Sequence, residues 1–138
     1  ASKYLVLKKE RTELEVSSFA ERIAEIEKEC FSTPWSENAI NEAVANGTVF
    51  LVAEKSFRVV GYVSMNTALD EGYITNIAVK GDFRRQGIAD RLLNSLYKKA
   101  EQLNLAFLSL EVRASNKNAI SLYEKAGYKN PHTGSPGS

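Results

Sequence analysis

The segment from residue 88 to residue 103 restricts the fold most, because it predicts a long amphipathic helix between two strands. Six apolar side chains recur there at helical spacing, while charged and amide side chains fill most other positions. β-prone runs precede it at residues 72–79 and follow it at residues 106–113. A strand, a helix and a second strand in this order predict a parallel pair joined by a right-handed crossover. The chain is therefore expected to be an α/β domain.

The remaining pattern predicts a mixed, mostly antiparallel sheet with helices on both faces. Runs at residues 48–53, 59–67 and 72–79 read as strands, and the short turns between them favour antiparallel pairing. The other predicted strands are a first one at residues 3–8 and one that starts at Tyr128-Lys129. Three further helices are predicted. The first spans residues 18–30, the second runs from the N-cap Ser36 to Asn46-Gly47, and the third runs from the cap Asn116 to residue 126.

Length and composition exclude several classes of protein. The 138 residues suit one domain with one core, and 18 basic against 17 acidic side chains give a net charge of +1. That balance provides no broad field for nucleic acid or an anionic membrane. A single cysteine, Cys30, and a single histidine, His132, argue against a disulfide, a zinc site or a Cys–His nucleophile. With no apolar run of membrane-spanning length and no signal peptide pattern, we expect a cytoplasmic protein.

The turn that leads into the long helix is suited to phosphate. A helix N-terminus offers N–H groups without intrahelical partners and a partial positive charge. Gly87 lacks a Cβ, so an anion can approach the backbone closely, and Arg84 and Arg85 add positive charge. A P-loop is excluded because Ile88 stands where that motif needs lysine. On these residues alone, an exposed basic turn before a surface helix is an equal alternative.

The pattern Arg84-x-x-Gly87-x-Ala89 resembles the acetyl-CoA signature R/Q-x-x-G-x-G/A of the GNAT superfamily of N-acetyltransferases. Further segments resemble the bacterial ribosomal-protein-alanine N-acetyltransferase family, in order and at matching spacing. They are residues 31–36, 69–71, 76–79, 110–116 and 119–128. The resemblance implies the GNAT fold, acetyl-CoA as co-substrate without a metal, and a protein N-terminus, that of a ribosomal protein, as acceptor.

The resemblance also implies roles for particular residues. Glu111 is expected to act as general base and Tyr123 as general acid. The strand at residues 77–79 would offer backbone groups to the acetyl and pantetheine parts of the cofactor, and the turn would bind its pyrophosphate. The cofactor-binding residues so implied are Ile77, Ala78, Val79, Arg84, Arg85, Gln86, Gly87, Ile88, Ala89, Asp90 and Asn116.

Each of these side chains also has an ordinary structural explanation that the residues leave open. Glu111 would be an exposed carboxylate or a partner of Arg113, and Tyr123 a packed aromatic residue. The backbone of residues 77–79 would be used in the sheet. Asn116 would be only a helix cap, Trp35 a packing residue rather than part of an acceptor pocket, and Cys30 a core residue.

The resemblance stops near Asn130, whereas members of that family continue with two more strands that shape the acceptor groove. We therefore expect a GNAT domain at residues 1–130 without its C-terminal strands, followed by a disordered tail at residues 131–138. Two alternatives to a protein N-acetyltransferase follow: an acetyltransferase of small amines, and an acetyl-CoA-binding module without turnover. The sequence predicts no oligomeric state.

Overall fold

The computed structural model describes residues 2–7, 13–55 and 58–110. Several predictions lie outside these residues. They concern the helix that starts at Asn116, the strand start at Tyr128, the missing C-terminal strands and the tail at residues 131–138.

The elements that were predicted within the described residues are all present. They are β1 (Ser2–Leu7), α1 (Glu13–Cys30), α2 (Glu37–Ala45), β2 (Val49–Lys55), β3 (Arg58–Ala68), β4 (Glu71–Val79), α3 (Ile88–Gln102) and β5 (Phe107–Leu110). A 3-10 turn (Gly81–Phe83) that was not predicted lies between β4 and α3. Helix α1 begins five residues before the predicted start at Ser18. The other described ends of the helices and strands lie within two residues of their predicted positions. Ser36 caps α2 as predicted, because its hydroxyl accepts a hydrogen bond of 3.1 Å from the backbone N–H of Ala39.

The sheet has five strands in the order β1-β2-β3-β4-β5. Neighbours from β1 to β4 pair antiparallel, and β4 pairs parallel with β5 between Glu71↔Phe107 and Ile74↔Leu110. The mixed, mostly antiparallel sheet with one parallel pair that the sequence predicted is confirmed.

Helices cover both faces of this sheet. On one face α3 buries Leu92 and Leu96 completely against β2, β3 and β4, and each such side chain contributes about 1.5–3 kcal/mol. On the other face α1 and α2 bury Ile23 and Ile40 around Phe50. No helix in residues 13–55 and 58–110 is long and apolar enough to cross a membrane.

Strand β4 contains a β-bulge that decides which side chains reach each face. Ser64 pairs with Asn76 and Met65 with Ile74, so Thr75 is an extra residue in β4. Because of this insertion, Ile74 and Ile77 both join the core under α3, whereas Asn76 turns toward α1. The bulge thus places a polar side chain under α1 immediately before residues 77–79.

Candidate active site

The turn between β4 and α3 has the geometry of an anion site. Gly87 is the N-cap of α3 with φ +77°. Among the described residues no side chain caps this helix end, and a Cβ added at Gly87 would meet nothing within 4 Å. Arg85 is also left-handed, with φ +63°, and its side chain is exposed. Turns with left-handed residues ahead of a helix point N–H groups into a concavity that suits phosphate.

The other residues of the turn divide between packing and exposure. Ile88 is buried in the core beneath α3, Ala89 is half-buried against it, and Asp90 is exposed in the first turn of the helix. The start of α3 is therefore anchored in the core on one side and exposed to solvent on the other. A ligand that approaches the backbone requires such exposure.

Arg84 does more than add charge to the turn. Its Nε donates a hydrogen bond of 3.1 Å to the carbonyl oxygen of Val79, and its Nη2 lies 3.3 Å from the Sγ of Cys30. The guanidinium thereby ties the turn to the end of β4 and the end of α1. Of the two arginines of the turn, Arg85 is the one whose exposed side chain makes no hydrogen bond or ion pair within the described residues.

Lys55 is a cation beside the turn that the sequence did not single out. Its Nζ donates a hydrogen bond of 2.6 Å to the side-chain oxygen of Gln86 and lies 5.8 Å from the ring centroid of Phe83. Lys55 ends β2, which is distant from the turn in sequence, so only the strand pairing brings it here.

Residues 77–79 form the end of β4, immediately before the turn. They pair with β3 through Val63↔Ile77, Tyr62↔Ala78 and Gly61↔Val79, and all three are buried. The pairs described with β5 stop at Ile74↔Leu110, before this segment. The backbone of residues 77–79 therefore pairs with β3 along one edge. The alternative in which this backbone serves only the sheet holds for that edge.

A buried polar junction, made by Glu27, Tyr62, Asn76 and the backbone of Trp35, lies beside this strand. Glu27, Tyr62 and Asn76 are each 0% exposed. One carboxylate oxygen of Glu27 accepts from Trp35 N–H at 2.8 Å, and the other accepts from Asn76 Nδ2 at 2.8 Å and from the Tyr62 hydroxyl. Sequence reasoning missed it, although Glu27 falls four residues after Ile23 on the apolar stripe of α1.

Cys30 ends α1, and Trp35 lies two residues before α2 begins. Both are half-buried and pack against the core under α1, which favours the packing role for each. Burial raises the pKa of the Cys30 thiol, and the hydrogen bond and charge of Arg84 partly oppose that rise. Because Cys30 also contacts the carbonyl of Val79 at 3.7 Å, it belongs to the surroundings of the turn as well as to the core.

The three assigned residues Glu111, Tyr123 and Asn116 lie outside the described residues. Strand β5 brings the chain to Leu110, next to Glu111 in sequence, alongside Ile74 of β4. Within the ranges that the structure describes, no three His, Cys, Asp or Glu side chains lie close enough to hold a metal ion.

Fold and site together define an α/β protein that presents an anion-suited turn at the end of a strand in a mixed sheet. The chain belongs to the acetyltransferase (GNAT) family, whose model matches residues 20–128. This confirms the resemblance seen in the sequence and makes the protein an acyltransferase by family.

The relatives specify the resemblance further. The [ribosomal protein bS18]-alanine N-acetyltransferase of Escherichia coli K12 is 35% identical over 103 residues, which cover 75% of this chain and 70% of the relative. The Salmonella typhimurium protein of the same name is 36% identical over 104 residues, with the same coverage. The crystal structure of the Escherichia coli ribosomal-protein-S18-alanine N-acetyltransferase superposes with a TM-score of 0.76 at 29% identity, over 92% of this chain and 77% of that one.

Proposed function

We propose that this protein transfers the acetyl group of acetyl-CoA to the α-amine of an N-terminal alanine, on a protein of the bS18 ribosomal type. The observation that carries the proposal is the uncapped N-terminus of α3, which Arg84 ties to the end of β4. The choice of acceptor is supported by the names of the relatives, about 70% of whose length this chain covers. An acceptor of this kind places the enzyme in the cytoplasm.

In this proposal the turn from Arg85 to Asp90 binds the pyrophosphate of acetyl-CoA. The N–H groups of the first turn of α3 bind phosphate oxygens, since no side chain of the described residues caps them. Arg85 and Lys55 add positive charge near the anion. Backbone groups of residues 77–79 orient the acetyl and pantetheine parts and stabilise the developing oxyanion, and Asn116 contacts the pantetheine region.

The chemistry requires three proton transfers. Glu111, directly or through a water, takes a proton from the ammonium of the acceptor. The neutral amine attacks the thioester carbonyl, so that a C–N bond forms and the C–S bond breaks. Tyr123 donates its proton to the departing thiolate of CoA, and the resulting tyrosinate regains a proton from the attacking nitrogen, which thereby becomes the neutral amide. No enzyme nucleophile takes part, which suits a chain whose single cysteine, Cys30, is half-buried and has a raised pKa.

The test is the release of free CoA thiol from acetyl-CoA in the presence of an alanine-initiated peptide. The proposal expects thiol release that depends on both the enzyme and a free peptide amine. A matched peptide whose α-amine is blocked is the control. Release with polyamines or aminoglycosides but not with the peptide would favour a small-amine acetyltransferase, and acetyl-CoA binding without release would favour an inert module.

A further inference from the structure

The buried polar junction connects three elements that the proposed reaction needs to keep in register. Glu27 lies on α1, Asn76 on β4 directly before residues 77–79, and the Trp35 N–H on the connection between α1 and α2, which we define as residues 31–36. A carboxylate that is 0% exposed is tolerated only when several donors surround it, since an unpaired buried charge is strongly unfavourable. Here the donors come from different elements, so the charge holds those elements to one another.

We propose that Glu27 is a positioning residue that fixes the α1–α2 connection against β4 and thereby shapes the acceptor site. The connection begins beside the proposed acetyl site, because Cys30, the last residue of α1, contacts the carbonyl of Val79. Trp35, whose backbone Glu27 holds, packs half-buried against the core under α1. The Glu27 carboxylate therefore helps to position the connection next to residues 77–79.

Loss of this carboxylate has a selective effect. Residues 77–79 stay paired with β3 through Tyr62↔Ala78 and its neighbours, and the turn stays anchored by Arg84. The connection, in contrast, is weakened: in Glu27→Gln a single amide oxygen replaces two carboxylate oxygens, so the Trp35 N–H competes with Asn76 and Tyr62 for one acceptor. Acetyl-CoA affinity is thus preserved while acceptor binding weakens. This inference rests on the proposed function for the acetyl site at residues 77–79 and for the identity of the acceptor.

The experiment compares Glu27→Gln with Glu21→Gln, a matched change at an exposed position of the same helix. Trp35 is the only tryptophan of the chain, so its fluorescence reports on the connection. For Glu27→Gln we expect emission at longer wavelength, stronger acrylamide quenching, and an acceptor KM raised by about tenfold or more, because small misplacements at a reacting centre have large effects. The dissociation constant of acetyl-CoA, measured by calorimetry, stays within about twofold, below 0.5 kcal/mol.

A double variant tests whether the junction acts as a unit. In Glu27→Gln with Asn76→Asp, the amide and the carboxylate exchange places across the 2.8 Å contact. The carboxylate introduced at position 76 accepts from the amide introduced at position 27 and from Tyr62, whose hydroxyl lies 2.7 Å from the Asn76 nitrogen. We expect this pair to restore the shielding of Trp35 and most of the acceptor KM. If the single variant does not fold, Tyr62→Phe, which removes one donor, replaces it in the comparison.

Several results would overturn the proposal. They are a folded Glu27→Gln protein with unchanged Trp35 quenching, a released Trp35 with unchanged acceptor KM, or a double variant no better than the single one. A wild-type protein that does not acetylate the peptide contradicts the proposed function instead. The acceptor KM is then measured with whichever polyamine or aminoglycoside the protein acetylates, and acetylation of none contradicts the acceptor role of Glu27.

Discussion

The Nε of Arg84 donates a hydrogen bond of 3.1 Å to the carbonyl oxygen of Val79, which joins the proposed pyrophosphate turn to the strand that precedes it. The same guanidinium lies 3.3 Å from the Sγ of Cys30 at the end of α1. Arg84 therefore stabilises the turn, whereas the charge of the neighbouring Arg85 is exposed.

Arg84→Gln is expected to lower both stability and acetyl-CoA affinity, because the turn loses its tie to β4. The loss of a charged hydrogen bond that is partly exposed lowers the free energy of unfolding by about 1 kcal/mol. Arg85→Asn is the matched control, since asparagine tolerates the left-handed φ of +63°. It should leave the melting temperature unchanged and weaken acetyl-CoA binding by about twofold to fivefold at low salt only. Thermal melts and calorimetry at two salt concentrations check this, and equal behaviour of both variants would contradict it.

Gly87→Ala is expected to weaken acetyl-CoA binding by about tenfold, or about 1.4 kcal/mol, because a Cβ stands where the phosphate approaches. The left-handed φ of +77° also lowers stability, by about 1 kcal/mol. Gly47→Ala is a close control, because Gly47 has φ +94° and equally open space but lies after α2. It should show a similar stability loss with unchanged affinity in the same titration. Equal losses of affinity in both variants would count against the turn as the binding site.

Alkaline pH is expected to destabilise the wild type more than Cys30→Ala. The pKa of the Cys30 thiol is raised above its ordinary value of 9.0, chiefly by burial. Both states keep the proton below the unfolded pKa, so stability is unaffected there. As pH rises through about 9, the unfolded thiol ionises first, and stability falls until the folded thiol ionises too. Melting temperatures from pH 7 to about pH 10 measure this, and parallel curves for the two proteins would refute the assignment.

Glu111→Gln is expected to lower kcat by about 10²–10⁴-fold, because the acceptor ammonium loses its general base. The affinity for acetyl-CoA should stay within about twofold, since Glu111 has no proposed role in cofactor binding. Glu101→Gln, an identical change at an exposed position near the end of α3, should leave initial rates of CoA release unchanged. Tyr123→Phe should lower kcat as well. An unchanged rate in Glu111→Gln would exclude that residue as the base.

The sequence predicted most of the fold because the dominant signals are local. The apolar stripe of α3, the cap at Ser36 and the glycine at position 87 each act within one or two turns of chain. Antiparallel pairing of β2, β3 and β4 followed from the short connections. The anion-suited turn at the start of α3 was found for the same reason.

The missed features all depend on contacts between residues distant in sequence. The bulge at Thr75 turns Asn76 toward α1, and no alternation pattern of β4 alone reveals it. Glu27 interrupts the apolar stripe of α1, but its side-chain partners Tyr62 and Asn76 lie 35 and 49 residues away. Lys55 approaches Gln86 only through the folded sheet. Roles that depend on tertiary geometry were therefore beyond a pattern-based prediction.

The central claim is that the acceptor is the α-amine of an N-terminal alanine. The most direct measurement is tandem mass spectrometry of a peptide that begins with alanine and also contains a lysine, after incubation with the protein and acetyl-CoA. The account predicts a mass gain of one acetyl group located on the alanine α-amine, and strongly reduced modification with Glu111→Gln. Acetylation of the lysine side chain instead, or no acetylation by a protein that binds acetyl-CoA, would contradict it.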